Sequence, residues 1–196
     1  MFSLTLPIIL ASESPRRLAL LEQIGITPTA VMAADIDETP WKAESPKDLA
    51  LRMAEQKALT VAEKVTGTSL VLAADTVSAC GRRILPKAIN DEEVATCLRL
   101  LSGRRHTVTT GVVVVKVEDG LVTACRKTHV VTRLKAIVLS EALIQSYVAS
   151  QEGIGKAGGC SIQGKAAAFF PWINGSITNI IGLPLTETIY LLQGMQ

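Results

Sequence analysis

The sequence predicts an α/β fold in which helices flank a mixed sheet. Three observations carry this. Apolar runs of strand length alternate with stretches of helical period, Ser69–Ala74 is continuously apolar, and two long β-rich runs, Thr107–Val117 and Leu121–Leu134, are joined by Glu118-Asp119-Gly120. A continuous apolar run marks a strand buried on both faces, and Asp-Gly between alternating runs marks a hairpin. In chain order, residues 4–11 read as a strand and residues 15–24 as a helix that turns Leu18, Leu20 and Leu21 inward and stops at Gly25. Pro15 suits the first helical position, with Ser14 as N-cap. Thr27–Met32 is a second strand, and Ser45-Pro46 opens a long helix to about Lys64 with Leu49, Met53, Ala54, Ala58 and Val61 near a 3.6 period. After Ser69–Ala74, Gly81-Arg82 turns the chain into a short partner strand, Arg83–Leu85. A helix from Asp91 to Leu101 ends at Ser102-Gly103. Beyond the long hairpin, Ser140 caps a helix to about Ala149. Gly153–Gly164 is glycine-rich, a strand runs through Phe169 and Phe170, and a closing helix follows Gly182-Leu183-Pro184.

Composition limits the function classes. With 196 residues and 48% hydrophobic content the chain can bury a core as one domain, 1–196, with room for a cleft between two lobes. Twenty basic against eighteen acidic residues leave a formal charge of +2, which argues against a general nucleic-acid or membrane surface. A phosphate-bearing partner must then be met locally. Met1–Leu10 is too short and too weakly charged for a signal peptide, and no apolar run approaches the spanning length of about 18 residues, so a soluble cytoplasmic protein is expected. Cys80, Cys97, Cys125 and Cys160 lie far apart with no C-x-x-C pair, which favours reduced thiols over a zinc knuckle or a disulfide scaffold.

The candidate chemistry begins at Ser12-Glu13-Ser14-Pro15-Arg16-Arg17. Two arginines occupy a first helical turn, where the dipole disfavours cations but free N–H groups favour an anion. They are either surface residues or part of an oligophosphate site. Asp75 follows the buried run, where open α/β sheets meet their ligands, and is either a turn cap or a functional carboxylate. A carboxylate at the edge of an apolar strand is costly to desolvate, which a metal or water-activating role would justify. Asp35, Asp37 and Glu38 form an acidic loop, solvated if alone, but able to offer oxygens to Mg²⁺ if it opens beside Asp75. Lys57 and Lys87 read singly as surface lysines and, grouped with Arg16 and Arg17, as a polyphosphate pocket. In Gly155–Gly164 the glycines would let backbone approach a ligand closely, and Gln163 carries a donor and an acceptor suited to a nucleobase edge. A flexible surface loop is the competing reading.

Several stretches together resemble one family. Leu10-Ala11-Ser12-Glu13-Ser14-Pro15-Arg16-Arg17, Ala54-Glu55-Gln56-Lys57-Ala58, Ala74-Asp75-Thr76 and Leu100-Leu101-Ser102-Gly103-Arg104-Arg105-His106 look like the Maf family of nucleoside triphosphate pyrophosphatases. Lys156-Ala157-Gly158, Ile162-Gln163-Gly164, Asn174-Gly175-Ser176 and Gly182-Leu183-Pro184 continue the match in order. The resemblance implies an elongated α/β fold with a cleft between two lobes, related in architecture to the inosine triphosphate pyrophosphatases. It also implies hydrolysis of a non-adenine nucleoside triphosphate to the monophosphate and pyrophosphate, with Mg²⁺ or Mn²⁺. Position by position it makes Asp75 the water-activating carboxylate, with Lys57 and Lys87 beside it, and Asp37 or Glu38 further metal contacts. Ser12, Arg16, Arg17, Lys57 and Lys87 would hold the triphosphate. Thr76, Gln163 and Arg16 resemble the branch acting on dTTP and UTP; the 7-methyl-GTP branch typically has glutamine after the aspartate, Ser-Glu-Gly in the tail and tryptophan for the first arginine. A homodimer is compatible with the resemblance.

The chain departs from that pattern in places. Leu85-Pro86-Lys87-Ala88 keeps the lysine of Gly-Lys-Pro without its following proline. Gly155 and Cys160 stand where the pyrimidine branch has an acid and a tyrosine, and Ile177 replaces an aromatic, which bears on base preference more than on phosphate chemistry. Two alternatives therefore accompany the dTTP/UTP reading. One is a pyrophosphatase with altered base preference, such as for modified nucleotides, and the other a non-catalytic nucleotide-binding regulator of septum formation. Retention of Asp75 with both lysines and both arginines favours catalysis, because a pure binder has little need of a carboxylate facing a triphosphate.

Overall fold

A computed structural model describes residues 4–196; Met1–Ser3, the front of the apolar start, lie outside the described residues. Its centre is a seven-stranded mixed sheet in the order β2-β1-β3-β5-β6-β7, with β4 also paired to β3. The strands are β1 (Ile8–Leu10), β2 (Ala30–Val31), β3 (Ser69–Cys80), β4 (Arg83–Leu85), β5 (Arg105–Glu118), β6 (Leu121–Lys135) and β7 (Trp172–Asn174). The helices are α1 (Pro15–Gln23), α2 (Pro46–Ala62), α3 (Asp91–Leu101), α4 (Glu141–Val148), α5 (Ile177–Ile181) and α6 (Leu185–Gln193). β1 pairs in parallel with β2 and β3, and the remaining pairs are antiparallel. The predicted α/β class and mixed sheet are present, and no helix among the described residues is long and apolar enough to cross a membrane.

Two lobes share this sheet. In one, Leu10, Leu72 and Val114 face α1 and α6 on one side, while Val71, Ala73 and Val113 pack against Ala54, Ala58 and Val61 of α2 on the other. β3 and β5 therefore read as apolar on both faces, as a doubly covered strand must. The second lobe gathers Val108, Leu134, Leu98, Ile144, Tyr147 and Phe169 about the other end of β5 and β6, under α3 and α4. Ser45, Asn90, Ser140 and Ser176 each cap a helix through a side-chain oxygen, matching the predicted start of α2 and α4.

Several sequence expectations are corrected. The first strand shrinks from residues 4–11 to Ile8–Leu10, because the N–H groups of Thr5 and Leu6 donate to the side chain of Gln196 (2.6 and 3.0 Å) instead of to a strand. The second shrinks from Thr27–Met32 to two residues. The third runs on from Ala74 to Cys80, since β5 pairs with it from Ser69 as far as Ala79 and satisfies the backbone through its polar half. Asp75 is accordingly mid-strand, opposite Gly111, and not at a strand end. No strand passes through Phe169 and Phe170. Lys165–Phe169 is a 3₁₀ turn, in keeping with the helix preference of its three alanines, and pairing with β6 begins only at Trp172. A short apolar run does not separate the two by period alone. α5 was not anticipated; at five residues it is too short to leave a periodic signal.

Gly111 shows how closely α2 lies on the sheet. A Cβ there would stand 2.5 Å from the carbonyl oxygen of Ala50 and 2.8 Å from the amide nitrogen of Leu51, well inside contact distance. Gly111→Ala should destabilise the fold by about 3 kcal/mol, in the range of overpacked cores. A urea midpoint lowered with unchanged slope is the expected result, and an unchanged midpoint would contradict the packing.

Candidate active site

β1 covers β3 from Leu70 to Leu72, and β4 covers it only from Ser78 to Cys80. Between these partners the β3 edge lies open, and Asp75 and Thr76 fall in that gap. Side chains alternate across a strand, so the two point to opposite faces. Asp75 turns toward α2, and Thr76 toward α1 and α5. A cleft of about 420 Å³ runs past this open edge, within the size range of small-molecule sites.

On the α2 side the charges alternate. Lys57 Nζ lies 2.6 Å from Asp75 Oδ1 and 2.5 Å from Glu38 Oε1, and Glu38 Oε2 accepts from Lys87 Nζ. Lys57 is 8% exposed and Asp75 5%, so neither would be tolerated there unpaired. Burial works to raise the Glu38 carboxyl, but the hydrogen bonds and charges of Lys57 and Lys87 outweigh it and bring it down to about 2. The acidic loop thus opens beside Asp75 through Glu38. Asp37 does not join it: that residue is absent from the cleft wall, and its carboxylate accepts from the Thr39 amide at 2.9 Å. Asp35 is likewise exposed and absent from the cleft wall.

On the other side Arg17 is the organiser. Its Nε donates to the Gly182 carbonyl at 2.9 Å, Nη1 to Ser12 Oγ at 2.9 Å and Nη2 to Thr76 Oγ1 at 3.4 Å. Thr110 Oγ1 donates to the Asn179 carbonyl at 2.9 Å, so the Thr76 hydroxyl donates to Thr110 and keeps lone pairs for the guanidinium. Burial lowers the Arg17 pKa, and the charges of Asp75 and Glu38 oppose that shift. Among the described residues neither Arg16 nor Arg17 contacts a carboxylate. Ser14 stands at the N-cap of α1 but makes no side-chain cap bond; its amide instead donates to Ser12 Oγ at 3.2 Å. Two partly desolvated guanidiniums beside an uncapped helix start favour an anion.

The glycine-rich loop closes the cleft from the second lobe. It is stitched to the segment after β4 by Gly155 N to Ala88 O (2.7 Å), Ala88 N to Lys156 O (3.2 Å) and Gly158 N to Pro86 O (3.0 Å). Gly158 has φ +71°, and a Cβ there would lie 3.1 Å from that of Ser78, so glycine permits the approach. This stitching brings Lys156 to the cleft with Lys87, and Gln163 also lines it, its side chain exposed. Burial and the charge of Arg16 lower the Lys156 pKa.

Of the residues singled out from the sequence, Ser12, Arg16, Arg17, Glu38, Lys57, Thr76, Lys87 and Gln163 line one cleft, with Asp75 beneath Lys57. Two lining residues were passed over. Lys156 stood only as a motif letter, although the glycines around it mark a close backbone approach. His106 gave no signal beyond its motif, since its burial depends on Phe170, sixty-four positions away, whose ring lies 5.3 Å from it. Among the described residues no group of three His, Cys, Asp or Glu side chains could hold a metal. Glu38 and Asp75 are the two carboxylates that Lys57 brings together beside the cleft.

Burial pushes the His106 imidazole down to about 4, so the folded state holds it neutral where the unfolded chain would protonate it. The unfolded state then binds more protons between pH 4 and 6.5, and stability is complete above about 6.5 and lost as the pH falls toward 4. Full loss is worth about 3 kcal/mol. His106→Phe should flatten the pH dependence of the unfolding free energy in that window, as followed by chemical denaturation; an unaltered slope would refute the burial.

The chain is similar to known proteins along almost its whole length. A protein from Rickettsia akari called nucleoside triphosphate pyrophosphatase is 50% identical over 190 residues, 97% of this chain and 94% of its own. One of the same name from Rickettsia africae is 49% identical over 190 residues, 97% and 88% of the two chains. The solved structure of a Staphylococcus aureus Ham1 protein aligns with 13% identity over 97% of this chain and 100% of its own, at a TM-score of 0.48. Residues 7–195 match the family described as Maf-like protein, and this chain belongs to that family.

Proposed function

We propose that this chain hydrolyses nucleoside triphosphates to the monophosphate and pyrophosphate, the activity for which its relatives from Rickettsia are named. The observation that carries the reading is the open β3 edge, where Asp75 and Lys57 meet a cleft lined by five cations, Arg16, Arg17, Lys57, Lys87 and Lys156. The whole chain carries a formal charge of only +2, so this concentration is local and suits a polyphosphate.

The roles follow from position. Asp75 accepts a proton from the attacking water, and Lys57, bonded to both Asp75 and Glu38, keeps that carboxylate aimed at the cleft. Attack at the α-phosphorus forms a P–O bond to water and breaks the bond to the β-phosphate bridge. Arg16, Arg17, Lys87 and Lys156 offset the charge gathering on the departing pyrophosphate. Glu38 and Asp75 are the residues that would hold Mg²⁺ or Mn²⁺, which would add further charge neutralisation at the phosphates. Asp37, absent from the cleft wall, is less suited to that task.

For the base, Thr76, Gln163 and Arg16 support dTTP or UTP. Cys160 and Ile162 give the base end of the cleft small and aliphatic walls, which suits a pyrimidine and leaves room for a modified base. The arrangement favours catalysis over a purely regulatory nucleotide sensor.

A pyrophosphate-release assay across common and modified nucleotides tests this. UTP or dTTP should be cleaved best, and chelation of divalent metal should stop release. Asp75→Asn should lower kcat by at least about a hundredfold, the scale of a lost general base, with nucleotide affinity changed only a few-fold. Absence of pyrophosphate from every nucleotide, with the wild-type protein folded, would end the enzymatic reading.

A further inference from the structure

Residues 35–44, between β2 and α2, are neither helix nor strand, yet they deliver Glu38 to the cleft. Little else holds them. Ile36 packs against Leu49, Ala50, Met53 and Val77, while the bonds from the Thr39 amide to Asp37 and from the Trp41 amide to Glu44 are internal to the loop. Among the described residues, the polar contacts of this loop with the rest of the chain come from three cations: Lys57 and Lys87 at Glu38, and Arg52 of α2 farther along. Arg52 meets the loop with both its edge and its face. Nε donates to Glu44 Oε1 at 2.6 Å, and Nη2 donates to Glu44 Oε2 at 2.7 Å and to the Thr39 carbonyl at 3.1 Å. The guanidinium carbon lies over the Trp41 ring, 4.0 Å from its centre. The Arg52 and Glu44 side chains are only 12% and 5% exposed, so this two-pronged pair is not a loosely held surface contact.

We infer that Arg52 is a positioning residue of the hydrolytic site, clamping this loop to α2 so that Glu38 meets Lys57 and Lys87; this rests on the nucleotide reading above. Arg52 is absent from the cleft wall, so it does not act on the phosphates directly. It acts through the backbone. Thr39 directly follows Glu38, and a bond to its carbonyl fixes the chain one residue from the carboxylate that must reach the cleft. The same helix carries Lys57, five positions on, whose ammonium meets that carboxylate at 2.5 Å. One rigid element therefore sets both the backbone and the side-chain end of Glu38. Lysine at position 52 would keep the charge, but a point charge does not grip two carboxylate oxygens and a carbonyl while stacking on an indole.

Arg52→Lys tests the fork with the charge kept. A water-soluble carbodiimide joins a carboxylate to an amine in contact with it, taking up the water released, and the side chains of Lys87 and Glu38 are 47% and 42% exposed to it. In the wild-type protein we expect a Glu38–Lys87 isopeptide bond by peptide mass spectrometry, and in Arg52→Lys this cross-link should be largely lost. The kcat for pyrophosphate release from UTP should drop about tenfold with KM little changed, since small misplacements of a group at the reacting centre are costly. In a Glu38→Gln background the same change should cost far less, because the group it positions is gone. No cross-link in the wild type, one undiminished in the variant, or equal kcat losses in both backgrounds would overturn the inference. Glu44→Ala releases the fork from the loop side, leaves α2 intact and should lose cross-link and kcat alike; it takes the place of Arg52→Lys if that variant does not fold. Lack of pyrophosphate release by the wild type would count against the hydrolytic reading alone, because the cross-link forms without nucleotide and still decides Arg52.

Discussion

The whole site depends on a missing strand pairing. A sheet edge normally must be covered or blunted, and β3 is covered by β1 and β4 at its two ends while the stretch holding Asp75 has neither. That opening lets one strand serve two faces within two residues, Asp75 to α2 and Thr76 to α1. Neither polar side chain could be kept there by the apolar run around it. Lys57 holds the first, and the Thr110–Asn179 hydrogen bonds hold the second.

From this constraint the charge pattern follows. Lys57 is compensated twice, by Asp75 and by Glu38, and Glu38 twice, by Lys57 and by Lys87. Loss of Lys57 is the costliest in this chain of alternating charges, because it strands the buried Asp75 and takes one partner from Glu38. Arg16 and Arg17 lie outside this series of ion pairs, with no carboxylate in contact among the described residues. Arg17 is met instead by the Gly182 carbonyl and the hydroxyls of Ser12 and Thr76, which in the proposed reading leaves both guanidiniums to an anion.

The sequence displayed the elements that are locally encoded. The long hairpin with Asp-Gly, the capped α2 and α4 and the apolar half of β3 all stand where periodicity and turn chemistry put them. What periodicity could not display is tertiary. The polar half of β3 is a strand because β5 lies beside it, and Phe169 leaves the strand register because its ring joins Tyr147 at 5.3 Å in the second lobe. The site was legible as residue types at motif spacings; which member of the acidic loop reaches the cleft was not. Asp37 and Glu38 are adjacent, and only the direction in which the loop presents each side chain separates a partner of Lys57 from a cap of Thr39.

In the proposed reading the two halves of a nucleotide meet different physics. There the phosphate end relies on long-range charge, which forgives small displacements; of its cations only Lys57 and Lys87 are tied together, through Glu38, among the described residues. The apolar end of the cleft relies on short-range shape, its wall carried by the second lobe and that lobe's own core. Replacing an aromatic by Cys160 in that wall alters contacts with a base without touching Asp75, Lys57 or Arg17. In that reading, hydrolytic chemistry and base choice can change independently within one scaffold, since the continuous strands β3 and β5 join the two lobes while each lobe packs its own side chains.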